Sequence, residues 1–403
     1  MANPKKLRCS CDRANTLSRR MIDNLLIPLI IEDTDLHQTF TGQIAQKYTH
    51  VVRDLPPNWV PAVIDQFLAF KLFGPDGLAL NYFAHPLILR KSPREQEYLY
   101  FQFSHPWRFA FIRPQAVLGN NVFEMKNALT EESLLLYSPG IAKYEALGGM
   151  SLYFALLASN GDCFQTYGPI SYFQGLQPYD LLFFAQQLEA RPLNLAELEQ
   201  RLQQDPLPFM ALFIAAKFPL TYHKTDLLVI NQSELGLEKF DPPRWERYFF
   251  LERKEDLYKL GLKHWRKGPH FCSCYFSSQE QRLIVGSLTE RGYNKLVGTL
   301  AELGFVLPAV PEIRVTAGGL LAAEKVLRKK IILNPYEQKF SPKPAPDSFA
   351  QPDDLKRFTE LLIPYLNSEA EFDLERLAQQ ADIPYETALK LAHEIRKTLH
   401  KIN

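Results

Sequence analysis

Between residues 121 and 190, short apolar runs alternate with turn residues at a spacing that leaves room for strands and little else. Val122-Phe123-Glu124-Met125, Leu134-Leu135-Leu136-Tyr137, the run from Leu152 to Ala158 and the run from Cys163 to Tyr167 are each long enough for one strand. Asn160-Gly161 lies between the last two, and this dipeptide takes the positive φ values of a tight hairpin turn readily. Ser138-Pro139-Gly140 and Gly168-Pro169 punctuate the other ends. Pro178 then opens a helix whose Leu181, Phe184, Ala185 and Leu188 fall on one face. The expectation is a small, strongly bent antiparallel sheet, barrel-like, closed by a helix and spanning residues 115–190. No catalytic pattern sits within it.

At 403 residues the chain exceeds one ordinary core, so several domains follow. Upstream, residues 17–30, 42–52 and 59–73 read as helices, and Pro56-Pro57 forces a break. The clearest helix start is Ser92-Pro93-Arg94-Glu95, a capping box with proline at the first helical position. A helical N-terminal region over residues 1–114 results. Downstream, residues 191–340 read as a mixed α+β region. In it Asp241-Pro242-Pro243 launches a long charged helix toward Lys267, and a hairpin over residues 270–288 is followed by a helix over 290–303. Residues 341–352 form a linker whose Ser-Pro-Lys-Pro-Ala-Pro core is stiff and extended. Residues 353–403 make a separate helical module. The fold class is therefore α+β.

The 46 basic and 45 acidic residues leave no global field that would announce a nucleic-acid or membrane protein. No apolar run approaches the ~20 residues of a membrane span, and residues 1–20 lack the apolar segment of a signal peptide. Five cysteines are too few for a disulfide scaffold. These features place the chain in the cytoplasm.

The run from Phe67-Leu68-Ala69-Phe70 through Gly74-Pro75-Asp76-Gly77, Ser92-Pro93-Arg94-Glu95 and Ser104-His105-Pro106 to residues 121–140 resembles uncharacterised bacterial proteins of the SEC-C-associated type. The resemblance covers roughly the first half of the chain. It implies the order phenylalanine-rich helix, turn, capped helix, small β-barrel, and no activity. The SEC-C motif itself joins a Cys-x-Cys to a second cysteine pair, and Cys9-Ser10-Cys11 and Cys272-Ser273-Cys274 each supply only the first half.

Phosphate loops, Gly-x-Ser-x-Gly elbows and His-Glu-x-x-His pairs do not occur. Cys163, alone in an expected strand, reads as a small buried hydrophobe rather than a nucleophile. At the C-terminus Asp373 caps one helix, and Leu377, Ala378, Ile383, Ala388 and Leu391 fall where a helix-turn-helix locks its two helices. Asp382 stands where glycine is commonest, and it tolerates the left-handed turn better than most residues. Lys390, Arg396 and Lys397 would line the second helix, yet residues 352–403 carry seven Lys or Arg against ten Asp or Glu, which disfavours phosphate. A helical interaction module is the plainer reading. The stretch Lys325, Arg328, Lys329 and Lys330, with Tyr336 and Phe340 nearby, would grip RNA or single-stranded DNA by phosphate contacts and stacking, or would be a solvated helix face.

Four of the five cysteines occur as Cys-x-Cys. On an extended strand each such pair points both thiols to one face, so Cys9, Cys11, Cys272 and Cys274 would together hold a zinc ion, with His270 as a substitute ligand. Such a site would clamp the basic tail over residues 5–20 onto the hairpin. The alternative is two ordinary core residues and two free thiols. These readings lead to a non-enzymatic interaction or adaptor protein contacting a protein or nucleic acid, with no membrane partner and with homo-oligomerisation open. The rival is a metal-dependent enzyme whose ligands assemble only in the fold.

Overall fold

The computed structural model describes residues 4–53, 55–145, 152–173, 175–216, 218, 220–263, 265, 271–340, 357–358, 361–362, 373–383, 385, 388–389 and 391–392. The chain divides into two units, Met1–Tyr336 and Glu337–Asn403. The class is α+β. Among the described residues no helix is long and apolar enough to cross a membrane.

The first unit opens with α1 (Pro4–Ser18), a π-wound continuation (Arg19–Leu26) and α2 (Ile27–Asp33). The basic tail is thus helical, so Cys9 and Cys11 are not on the extended strand that the zinc reading requires. After α3 (Leu36–Gln43) and α4 (Thr49–Val52), α5 (Trp59–Phe73) is buried nearly all round, from Val63 through Phe73. It forms the axis of the main core. α6 (Pro86–Leu89) precedes α7 (Pro93–Ser104), which starts with the expected capping box: the Ser92 backbone N–H donates to Glu95 Oε2 at 3.0 Å.

Five strands then close a barrel: β1 (Arg108–Gly119), β2 (Val122–Asn127), β3 (Ser133–Tyr137), β4 (Leu152–Ser159) and β5 (Phe164–Phe173). Helix α8 (Pro139–Glu145) lies between β3 and β4 and puts Ile141 into the barrel interior with Ala110, Ile112, Phe123, Met125, Leu136 and Tyr153. The order round the barrel is β1-β2-β3-β5-β4, with β3 and β5 parallel and every other pair antiparallel. Together with the helix between β3 and β4, this makes a five-stranded Greek-key barrel, an architecture that oligonucleotide/oligosaccharide-binding (OB) barrels also use. The expected sheet is therefore present. Its first strand, however, begins at Arg108, inside the region expected to be helical. Phe109 and Phe111 of β1 face outward against Phe154 of β4 and the main core, with ring centroids 5.2 and 4.7 Å apart.

Beyond the barrel, α9 (Pro178–Glu189), α10 (Leu195–Gln204) and α11 (Leu207–Ala215) add to the main core. After a two-residue ladder of β6 (Tyr222–His223) with β7 (Asp226–Leu227), a second sheet forms from β8 (Val229–Gly236), β9 (Phe249–Lys254), β10 (Leu257–Leu262), β11 (Ser273–Ser277), β12 (Arg282–Ser287) and β13 (Ile313–Thr316). Its order is β13-β8-β12-β11-β10-β9. The long charged helix expected toward Lys267 is absent: only α12 (Pro242–Trp245) is helical, and a β9–β10 hairpin follows. Alternation wins there. Leu260 and Leu262 are buried in the core while Lys259 and Gly261 are half-buried, and Glu255, at φ 55°, makes the turn. Helix α13 (Glu290–Glu302) packs its Leu296 and Leu300 on this sheet. Helix α14 (Ala317–Leu327) follows β13, and α15 (Glu337–Phe340) lies past the boundary.

One buried carboxylate ties two of these helix starts together. Asp180, 1% exposed, accepts from the Gln177 backbone N–H at 2.8 Å at the start of α9. It also accepts from the Thr316 backbone N–H at 2.6 Å and the Thr316 hydroxyl at 3.2 Å, at the start of α14.

In the second unit Asp373 caps the helix Leu374–Gln380, accepting from the backbone N–H groups of Glu375 and Arg376. Leu377, Ala378, Ile383 and Ala388 are buried together with Phe358 and Leu362, and Asp382 takes the left-handed conformation at φ 57°. The expected linker lies outside the described residues.

Candidate functional site

Helix α1 is amphipathic, with Leu7 and Cys11 one turn apart on its buried face. That face lies on the outside of the barrel, against Val122 of β2, Leu135 and Tyr137 of β3, and Cys163. In an OB barrel the outer face of the second and third strands, rimmed by the β1–β2 and β4–β5 loops, is the surface that takes a ligand. Here those loops are residues 120–121 and 160–163, and α1 covers the face between them.

A polar network fixes the helix there. The Gln165 amide donates to the Cys11 carbonyl at 3.1 Å and to Asn15 Oδ1 at 3.0 Å. The Tyr137 hydroxyl donates to Asp12 at 2.9 Å, and Ser10 Oγ donates to Asp162 at 2.7 Å. Further along, Tyr167 donates to Asp23 at 2.7 Å, and Arg20 pairs with Glu95 at 2.8 Å. Burial, reinforced by the aspartates, pushes the Tyr137 and Tyr167 hydroxyls up, so both remain protonated donors. The hydroxyl and backbone N–H of Ser92 hold the Glu95 carboxyl below its usual range, with Arg20 adding to the effect.

At the centre of the network Cys11 Sγ and Cys163 Sγ are 3.4 Å apart. Asn160 Nδ2 donates to Cys11 Sγ at 3.1 Å, while Asn160 Oδ1 accepts from the Cys163 backbone N–H at 2.9 Å. The bond with Cys11 lowers the Cys163 thiol, helped by Asn160 and opposed by burial. The same bond, burial and the neighbouring sulfur raise Cys11.

The opposite face of α1 is cationic. Lys5, Lys6, Arg8, Arg13, Arg19 and Arg20 are exposed, and Asp12 is the only acid from residue 5 to residue 20. Arg8 pairs with Asp12 at 3.7 Å, and Arg13 Nε donates to the Cys9 carbonyl at 3.2 Å.

The sequence-derived sites are placed differently from expectation. Cys11 lies against Cys163, whereas Cys272 and Cys274 are buried in the core of the second sheet, where burial raises both thiols, Cys272 to about 12. Cys9 is exposed, and His270 lies outside the described residues. Among the described residues no group of three or more His, Cys, Asp or Glu side chains is placed to hold a metal ion. Lys325, Arg328, Lys329 and Lys330 are exposed at the end of α14, but Lys330 pairs with Glu324 at 3.2 Å and Lys329 donates to the Gln187 carbonyl at 3.3 Å. The aromatic residues expected to stack beside them are interior: Phe340 is buried, and the buried Tyr336 donates to Glu280 at 2.6 Å and accepts from Arg282 at 3.0 Å. Arg282 lies over the Tyr336 ring, 5.3 Å from its centroid. Lys390, Arg396 and Lys397 lie outside the described residues.

The pairing of Cys11 with Cys163 was not apparent from spacing, because the two are separated by 152 positions. Two local signals did exist. Leu7 and Cys11 share a helical face, and the turn at Asn160 puts Cys163 at the entrance to a strand. Comparisons with models of known protein families, with curated proteins and with solved structures found no match to this chain.

Proposed function

We propose that the protein is a non-enzymatic interaction protein that contacts nucleic acid through the helix-clad face of its barrel. The observation that carries this reading is the row of exposed Lys and Arg residues on α1 and at the start of its π-wound continuation, with α1 laid over the face that OB barrels use for ligands. A net local charge of plus five over residues 5–20, six cations against one acid, attracts phosphate although the whole chain is nearly neutral. Backbone contacts of this kind carry no base sequence information, so the binding is sequence-tolerant and salt-sensitive. The test is fluorescence anisotropy with a labelled single-stranded oligothymidylate over a salt series. Binding should weaken linearly on a log–log plot, and the triple variant Lys6→Glu, Arg13→Glu, Arg19→Glu should cut affinity by about tenfold or more and flatten the slope by roughly 2. Wild-type affinity unchanged in the triple variant, or no binding at low salt, would refute the proposal.

A further inference from the structure

We propose that Cys11 and Cys163 are an oxidisable pair that peroxide converts into an intramolecular disulfide, fastening α1 to the barrel. This inference does not depend on nucleic-acid binding.

The geometry supplies what the reaction needs. The sulfurs are 3.4 Å apart, already close to contact, and one bond length of about 2.05 Å is reached by a small shift of the loop. Asn160 holds both partners, donating to Cys11 Sγ and accepting from the backbone of Cys163. Gly161 and Asp162 are exposed, so a small oxidant approaches Cys163 from the loop side, while Cys11 is fully covered. Cys163, beside the exposed loop, is the sulfur an oxidant reaches first and Cys11, fully covered, the one behind it, which assigns the attacking and resolving roles.

The Cys163 thiolate attacks one oxygen of hydrogen peroxide, the O–O bond breaks, and hydroxide leaves, giving the sulfenic acid. Cys11 sulfur then attacks the sulfenic sulfur; the S–O bond breaks, and the departing hydroxide takes the Cys11 proton as water. Two electrons pass from the sulfurs to peroxide, and the sum is two thiols plus one peroxide giving one disulfide plus two waters. A dithiol such as dithiothreitol reverses it by exchange.

The experiment uses the full chain, treated with hydrogen peroxide and quenched by alkylation. Peptide mapping should find the Cys11–Cys163 link, and the thiol count under denaturing conditions should fall by two from the five cysteines. The thermal midpoint should rise on oxidation and return with dithiothreitol. Cys163→Ser should abolish the link, whereas Cys9→Ser should leave it intact. Wild-type mapping stands alone if a variant folds poorly. The initial rate of linking should drop by about tenfold or more in the urea-unfolded chain, because only the fold brings the sulfurs together. Equal rates in folded and unfolded chain, a link through any other cysteine pair, or accumulation of Cys163 sulfinic acid without a link would each overturn the proposal.

Discussion

Asp180 receives three hydrogen bonds yet sits where water cannot reach it, and burial outweighs those bonds to push its carboxyl up to about 6. The sign of the consequence follows. A carboxyl whose folded pKa lies above its unfolded one binds its proton more tightly when folded, so its contribution is fully present below about pH 4 and lost as pH rises through about 6. Denaturant unfolding at pH 4 to 7 should show a loss on the order of 3 kcal/mol from this group, and Asp180→Asn should remove that part of the slope. The neighbouring Gly319 gives a second test. Glycine to alanine in a helix ordinarily stabilises, by up to about 1 kcal/mol. Here an added Cβ would lie 2.4 Å from Asp180 Oδ1, so Gly319→Ala should instead destabilise by roughly 1–3 kcal/mol in the same assay.

Among elements, the β9–β10 hairpin turns at Glu255, a non-glycine residue at φ 55°. Glycine there should relieve left-handed strain, and Glu255→Gly should raise stability by up to about 1 kcal/mol in thermal unfolding. A drop would mean that the Glu255 side chain contributes more than its backbone costs. This hairpin also marks where sequence reading failed. Its strands carry so many charges that helical and alternating patterns compete, and only the register of Leu260 and Leu262 decides. Strand β1 was hidden for a different reason. Its first half, Phe109 to Ile112, is buried on both faces, so no alternation shows there, and Pro114 sits within the strand at a register shift that accommodates the missing donor. By contrast, the Ser92 capping box, the Asn160-Gly161 turn and the left-handed Asp382 were legible, because each depends on a few neighbouring residues. The candidate site was the least legible, since α1, β2, β3 and the loop before β5 meet only after the chain closes on itself.

For the molecule as a whole, the division at residue 336 separates a large unit with its own cores from a small one organised round Leu377 and Ala388. A chain ending at Phe340 should keep a single cooperative transition at an unchanged midpoint in circular dichroism. Aggregation of that shorter chain would show that the larger unit is not independent. The covering of the barrel by α1 has a consequence in time as well as in space. The helix is made before the cysteine it rests against, which follows Cys11 by 152 residues. At about 5–20 residues per second, Cys11 and Leu7 wait roughly 8–30 s for the surface that buries them. The helix is thus exposed for longer than it takes to make, and a pause in synthesis between Cys11 and Cys163 prolongs that exposure.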